Sequence, residues 1–265
     1  MKNDSELARE FLENGRSSSC PVIDMHGHYG PFQGIYFPSS SAEAMVKTMD
    51  RAGVRMIVCS SHASLIDPGR GNPLMAEVVK KYPDRFRAYW AVNPNYPKII
   101  ERDLLDYEKR EGFVGFKFLA DYHKYPITGP NYRPVLEYAN RRGLLVLVHT
   151  WGHSEFDSPS HLAEIAERYP EAKFLMGHSG YGEWEKSVSV SREHANVYLE
   201  LTAAYAVNGY VEKMVNEAGS EKILFGTDLP WFDPHYGIGC ILFSRIDDGD
   251  RHDILHRNAE KLLGL

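Results

Sequence analysis

VIDMHGH, residues 22–28, is a short apolar run that carries a carboxylate and closes on two histidines. Similar runs recur at 54–60, 86–92, 112–118, 144–150, 173–179, 197–202 and 222–228, each about as long as a buried parallel strand. The eight runs start on average about 29 residues apart, the size of one βα unit. Between them lie amphipathic tracts at 41–53, 72–83, 97–111, 132–143, 161–169, 183–194 and 209–218, several opening on Pro, Ser, Asn or Gly. Eight strands alternating with helices over 265 residues predict an α/β fold, a single-domain (β/α)8 TIM barrel. An open doubly wound sheet rarely needs eight evenly spaced parallel strands.

No linker, repeat or low-complexity tract divides the chain, so the barrel domain is assigned to residues 21–265. Residues 1–20 form a leading segment in which Leu7, Phe11 and Leu12 predict a short helix over the barrel's bottom or over a neighbouring subunit. The stretch 230–251 is rich in Gly and aromatic residues and is expected to arch over the top face as part of a lid.

Composition excludes several function classes. A hydrophobic fraction of 43% supports a sizeable core, and the net charge of −6 comes with scattered Lys and Arg, which argues against a nucleic-acid partner. No run approaches the roughly 18 apolar residues of a membrane span, and the polar, acidic start is unlike a secretory signal, so a soluble cytoplasmic protein is expected. Cys20, Cys59 and Cys240 are odd in number and far apart, without the spacing of a zinc clip or a disulfide scaffold, and read as reduced thiols.

In a barrel of this type the chemistry sits at the C-terminal ends of the strands. There the first run ends in DMHGH, the fifth carries His149, the sixth His178 and the eighth Asp228. His26 and His28 are two residues apart, so the pleat puts both imidazoles on one face. One strand-end histidine is more often a hydrogen-bonded structural residue. Five such residues at four separate strand ends point instead to a metal site. Three imidazoles and a carboxylate suit one divalent ion, zinc first, with manganese, iron or nickel as alternatives. Asp24 shares the parity of the two histidines and is expected to point inward below them, accepting from a ligand imidazole or a barrel lysine. Lys117 ends the fourth run, where it would bind a substrate carboxylate or pair with Asp24 or Glu200. Trp151 and Trp231, just past strand ends, are further candidates for substrate binding, as are Tyr29, Tyr205 and His123. His62, His153, His161, His194, His235, His252 and His256 have no spacing logic and read as surface or helix residues. GHSGY around Ser179 places its second Gly one residue early for a nucleophile elbow, and GIGCIL lacks the third Gly of a dinucleotide loop.

Taken together, DMHGH (24–28), VHT (148–150), GHSG (177–180), GTDLPW (226–231) and ILHRNAEKLLGL (254–265) resemble the amidohydrolase superfamily, in particular its amidohydrolase-2 branch of metal-dependent barrel hydrolases and decarboxylases. The resemblance covers nearly the whole chain. It implies that His26, His28, His149 and Asp228 hold the metal and that His178 orients water or polarises the substrate. Asp228 would double as general base, and a likeness to binuclear members would make Lys117 a carboxylated lysine bridging two metals. The expected activity is hydrolysis of a small amide, lactone or related carbonyl compound by metal-activated water. The alternative is non-oxidative decarboxylation of a small aromatic or unsaturated acid on the same site. The shorter chain, compared with familiar decarboxylases, favours hydrolysis. The partner is a small-molecule substrate, with a homo-oligomer as the expected assembly.

Overall fold

The computed structural model describes residues 5–265. Its eight strands are β1 (Val22–Tyr29), β2 (Val54–Ser61), β3 (Phe86–Ala91), β4 (Phe113–Phe118), β5 (Leu145–Trp151), β6 (Lys173–Tyr181), β7 (Val197–Glu200) and β8 (Ile223–Leu224). They are parallel neighbours in chain order, the (β/α)8 arrangement expected from the spacing of the runs. Ile23 and Met25 of β1 meet Met56, Val58, Tyr89, Leu147, Leu175 and Leu224 inside the barrel. The opposite faces of the strands pack against the surrounding helices in a second, larger cluster. Helices begin and end where local chemistry directs. Ser41 accepts from Ala44 N ahead of Ala42–Ala52, and that helix stops at Gly53, whose φ of 75° is open to glycine.

Two elements depart from the reading of the sequence. The eighth run forms only two residues of regular strand because the chain then turns to bond across the seam to β1. Met25 N donates to Phe225 O at 2.8 Å, Asp228 N to His26 O at 2.8 Å and His28 N to Leu229 O at 2.8 Å, and these bonds bring the two ends of the sheet together. The second departure is the expected lid. Its longest element is an ordinary barrel helix, Pro234–Phe243, started by Asp233 and packed over Phe225 and Tyr205 through Gly237. Only Trp231 and Phe232, ahead of that helix, face the top cavity.

The leading helix, Glu6–Asn14, is capped by Ser5 and lies beside Pro234–Phe243, with Phe11 6.0 Å from His235. Residues 1–4 of the leading segment lie outside the described residues. Among the described residues no helix is long and apolar enough to cross a membrane.

Candidate active site

The floor of the top cavity is built at the β1–β8 seam. The register of β1 against β2 shifts between Asp24 and Gly27, a bulge that breaks strict alternation. Met25 faces the barrel interior, while Gly27 faces Ile57 and Cys59 of the outer layer, so His26 and His28 turn inward together after the bulge. Asp24, on the other side of the bulge, does not point beneath them. Its carboxylate accepts from His26 N at 3.0 Å and Thr227 N at 3.1 Å, and from the Thr227 hydroxyl. It therefore pins the seam and serves neither a ligand imidazole nor Lys117.

His26 Nε2 and His28 Nε2 each lie 3.2 Å from Asp228 Oδ1. These three residues form one group whose candidate ligand atoms are all within 4.8 Å of one another. Their protons are directed elsewhere. His26 Nδ1–H donates to Glu200 Oε2 at 2.6 Å, and His28 Nδ1–H meets Ser60 Oγ at 3.3 Å. Both Nε2 atoms thus carry lone pairs beside Asp228 Oδ1, which is buried and without a hydrogen bond, and that of His26 also accepts from Lys117 Nζ at 2.8 Å. Such a convergence of lone pairs fits a cation, and the donor set of two imidazoles and a carboxylate suits a divalent metal. Glu200 is the orienting carboxylate behind His26. It is fully buried at the end of β7 and also accepts from Thr202 N and Thr202 Oγ.

The fourth expected ligand, His149, stands apart from this trio. Its Nδ1 is 3.0 Å from His178 Nε2, and its Nε2 faces Asp121 Oδ2 at 3.7 Å. Trp151 stacks on the His149 ring at 5.8 Å. His178 donates from Nδ1 to Thr202 O at 3.3 Å, which leaves its Nε2 to accept from His149. Lys117 is fully buried and bonds neither Asp24 nor Glu200. Its Nζ lies 2.8 Å from His26 Nε2.

Burial sets the charge states. It holds His26, His149 and His178 below the ordinary imidazole range, and the ammonium of Lys117 adds to this at His26. Burial also brings Lys117 down to about 8, against the pull of Asp228 and Glu200. For Asp228, burial alone would raise the carboxyl, but His26, His178 and His28 more than offset it and keep the group well below the usual carboxylate range. The backbone here is unusual. His178, Ser179, Ala203 and Asp228 have φ of 60°, 49°, 62° and 61°, a region costly for residues with a Cβ and common at functional sites. The Ser179 hydroxyl that resembled an elbow nucleophile is spent on Glu200 O at 2.9 Å.

Above this floor is a cavity of about 210 Å³ lined by His28, Lys117, His149, His178 and Asp228 below and by Phe32, Tyr122, Trp151, Trp231 and Phe232 around the rim. Tyr29, Tyr205 and His123 are absent from its wall. His123 is turned to Leu65 O. His62 is the residue that the reading of the sequence missed. It is 1% exposed, bonds Gly30 O through Nδ1 at 2.6 Å and accepts from Trp231 Nε1 at 2.9 Å. It also stacks beside His28 at 5.0 Å, and so backs two residues of the cavity wall, His28 and Trp231. Its position directly after β2 was the available signal.

A model of the amidohydrolase family matches residues 23–265. The chain belongs to the amidohydrolase family. Among curated relatives of this amidohydrolase, the gamma-resorcylate decarboxylase of a Polaromonas species is 24% identical over 274 residues, covering 84% of this chain and 83% of that protein. Among solved structures, the 5-carboxyvanillate decarboxylase of Sphingomonas paucimobilis matches with a TM-score of 0.77 at 14% identity, covering 93% of this chain and 99% of that one. The Polaromonas dihydroxybenzoic acid decarboxylase, with bound manganese and the inhibitor 2-nitroresorcinol, matches with a TM-score of 0.76 at 20% identity, covering 93% and 97%. The chain is an enzyme of this family.

Proposed function

We propose that this enzyme is a metal-dependent, non-oxidative decarboxylase of a small hydroxylated aromatic acid. The observation that carries the proposal is the cavity: about 210 Å³, ringed by aromatic side chains over a polar floor. Its volume exceeds the roughly 150 Å³ that holds a benzene ring and falls below the roughly 300 Å³ at which pockets for drug-sized ligands begin. One substituted ring fits that space. The curated relatives act in the same sense, since gamma-resorcylate decarboxylases of Polaromonas and Rhodococcus jostii align over 84% of this chain. The preference for hydrolysis rested on chain length. It loses its weight because the alignments span 83% and 87% of those decarboxylases.

His26, His28 and Asp228 would hold the divalent metal, which when bound would neutralise the acid's oxygens and hold them in place. Manganese, present in a decarboxylase of the same fold, suits a set that includes a carboxylate as well as zinc does. Trp151 and Trp231 clamp the ring faces, and the Lys117 ammonium meets the acidic substituents. Asp228, ionised at rest, takes a proton from water and passes it to the ring carbon that bears the carboxylate. The bond from that carbon to the carboxylate then breaks, its electron pair returns to the ring, CO₂ leaves, and the hydroxide from the water passes to solvent with Asp228 again ionised. His178 and His149, a neutral hydrogen-bonded pair, polarise the substrate beside it.

The test is incubation of the metal-loaded enzyme with 2,6-dihydroxybenzoate and related hydroxybenzoates in D₂O and in H₂¹⁸O. Decarboxylation releases one CO₂ per product and places deuterium on the ring. Turnover of lactones or amides with ¹⁸O entering the product and no CO₂ would restore the hydrolase reading.

A further inference from the structure

At the opposite end of the barrel from the cavity, the segment leading into β1 meets the C-terminal helical segment. Cys20, His252 and His256 gather there with one ligand atom from each within 4.8 Å of the others. We propose that these three residues form a second metal site, taking one thiophilic ion of the zinc class and clasping the start of β1 to the end of the chain.

The side chains are disposed for this. His252 and His256 are four residues apart across a π-helical turn, Asp253–Arg257, so both rings lie on one face, with Nδ1 of the first 3.0 Å from Nε2 of the second. His256 Nδ1 lies 3.1 Å from Glu260 Oε2 and donates its proton there, which turns the Nε2 lone pair towards His252 and Cys20. Glu260 is held in turn by Arg55 at 3.2 Å, giving the carboxylate–imidazole support usual behind a metal-binding histidine. The Cys20 sulfur is 1% exposed and makes no hydrogen bond among the described residues, so a buried thiol faces two imidazoles without a partner of its own. Asp248, Glu260 and Glu10 surround it with negative charge, opposed by Arg257. A thiolate and two imidazoles match zinc and leave one position for water. His252 is partly exposed and gives the ion an entry path. Binding displaces the thiol proton: one ion enters and one proton leaves to solvent.

Cobalt(II) distinguishes this site from the cavity, because a thiolate ligand adds a near-ultraviolet charge-transfer band that nitrogen and oxygen ligands do not. The metal-stripped full chain, titrated with cobalt, should develop the band and lose it on addition of zinc. His26→Ala and Asp228→Ala should keep it. Cys20→Ser should abolish it and lose one equivalent of cobalt, while Cys59 and Cys240 remain in place. His252→Gln, at a partly exposed position, should weaken cobalt binding at this site at least tenfold, which keeps the test open if Cys20→Ser does not fold. Absence of the band at saturating cobalt, or a band that survives Cys20→Ser or is unchanged in His252→Gln, overturns the proposal.

Discussion

Replacing His26 or Asp228 with alanine removes one of three residues whose ligand atoms converge within 4.8 Å of one another. Either variant should lose the cavity's metal while remaining folded, as elemental analysis would register. His178→Asn should keep the metal and lose at least about 10²-fold in kcat, the usual cost of a lost acid–base or polarising group. Retention in His149→Ala is expected from its place beside His178, and loss would return it to the ligand set. A different residue sets a pH dependence. Asp157 is buried with one oxygen unpaired, and burial raises its carboxyl to about 6. The folded state therefore holds a proton that the unfolded chain releases near its ordinary value of 3.8. Its contribution to stability should fall as pH rises from about 4 to about 6 and level off above, while the buried histidines contribute the opposite slope. In urea melts, the stability of the wild type minus that of Asp157→Asn should therefore fall across this range. The strand-end histidines were legible because period and position coincide. Glu200 and His62 were not, because their roles come from partners far along the chain, His26 and Trp231.

At the scale of elements, the bulge in β1 decides which residues reach the cavity. Alternation places Asp24, His26 and His28 on one face, and the extra residue between Asp24 and Gly27 breaks that inference. Nothing in DMHGH announces a bulge, whose only trace is the glycine. A Cβ at Gly27 would press on Ile57 and come within 2.9 Å of Cys59 Sγ. Gly27→Ala should cost about 1–3 kcal/mol in urea unfolding, the range for overpacking a filled core. A neutral result would mean that the outer layer yields there. The tract 97–111 read as one helix divides into Pro97–Leu105 and a 3-10 turn, Tyr107–Lys109, anchored by the Tyr107 hydroxyl on Gly115 O. Likewise, the stretch 230–251 looked like a lid because it is rich in Gly and aromatic residues, but its helix Pro234–Phe243 is apolar on several sides. It is apolar because it is wedged between the leading helix and the barrel wall.

For the whole molecule, the barrel was legible from eight evenly spaced apolar runs, since closure demands little beyond parallel strands and covering helices. How the barrel closes was not legible, because those bonds join residues some 200 positions apart, as Asp24 joins Thr227. The same seam holds the proposed ligands. Removing the metal with a chelator should therefore lower thermal stability. At a hundredfold excess of metal over Kd the lost linkage is about 2.7 kcal/mol. In a chain of this size that is a fall in Tm of about 5–10 °C. An unchanged Tm would mean that the cavity binds no ion under those conditions.

The shortness of β8 has a kinetic consequence. With only Ile223–Leu224 in regular pairing, the wall between β7 and β1 depends on the few amides of Met25, His28, Thr227 and Asp228 that cross the seam. These amides report local opening directly. In hydrogen–deuterium exchange of the metal-free protein they should exchange well before those of β5 and β6, and metal should slow them more than any others in the barrel. The place where the fold is joined last would then be the place that breathes first.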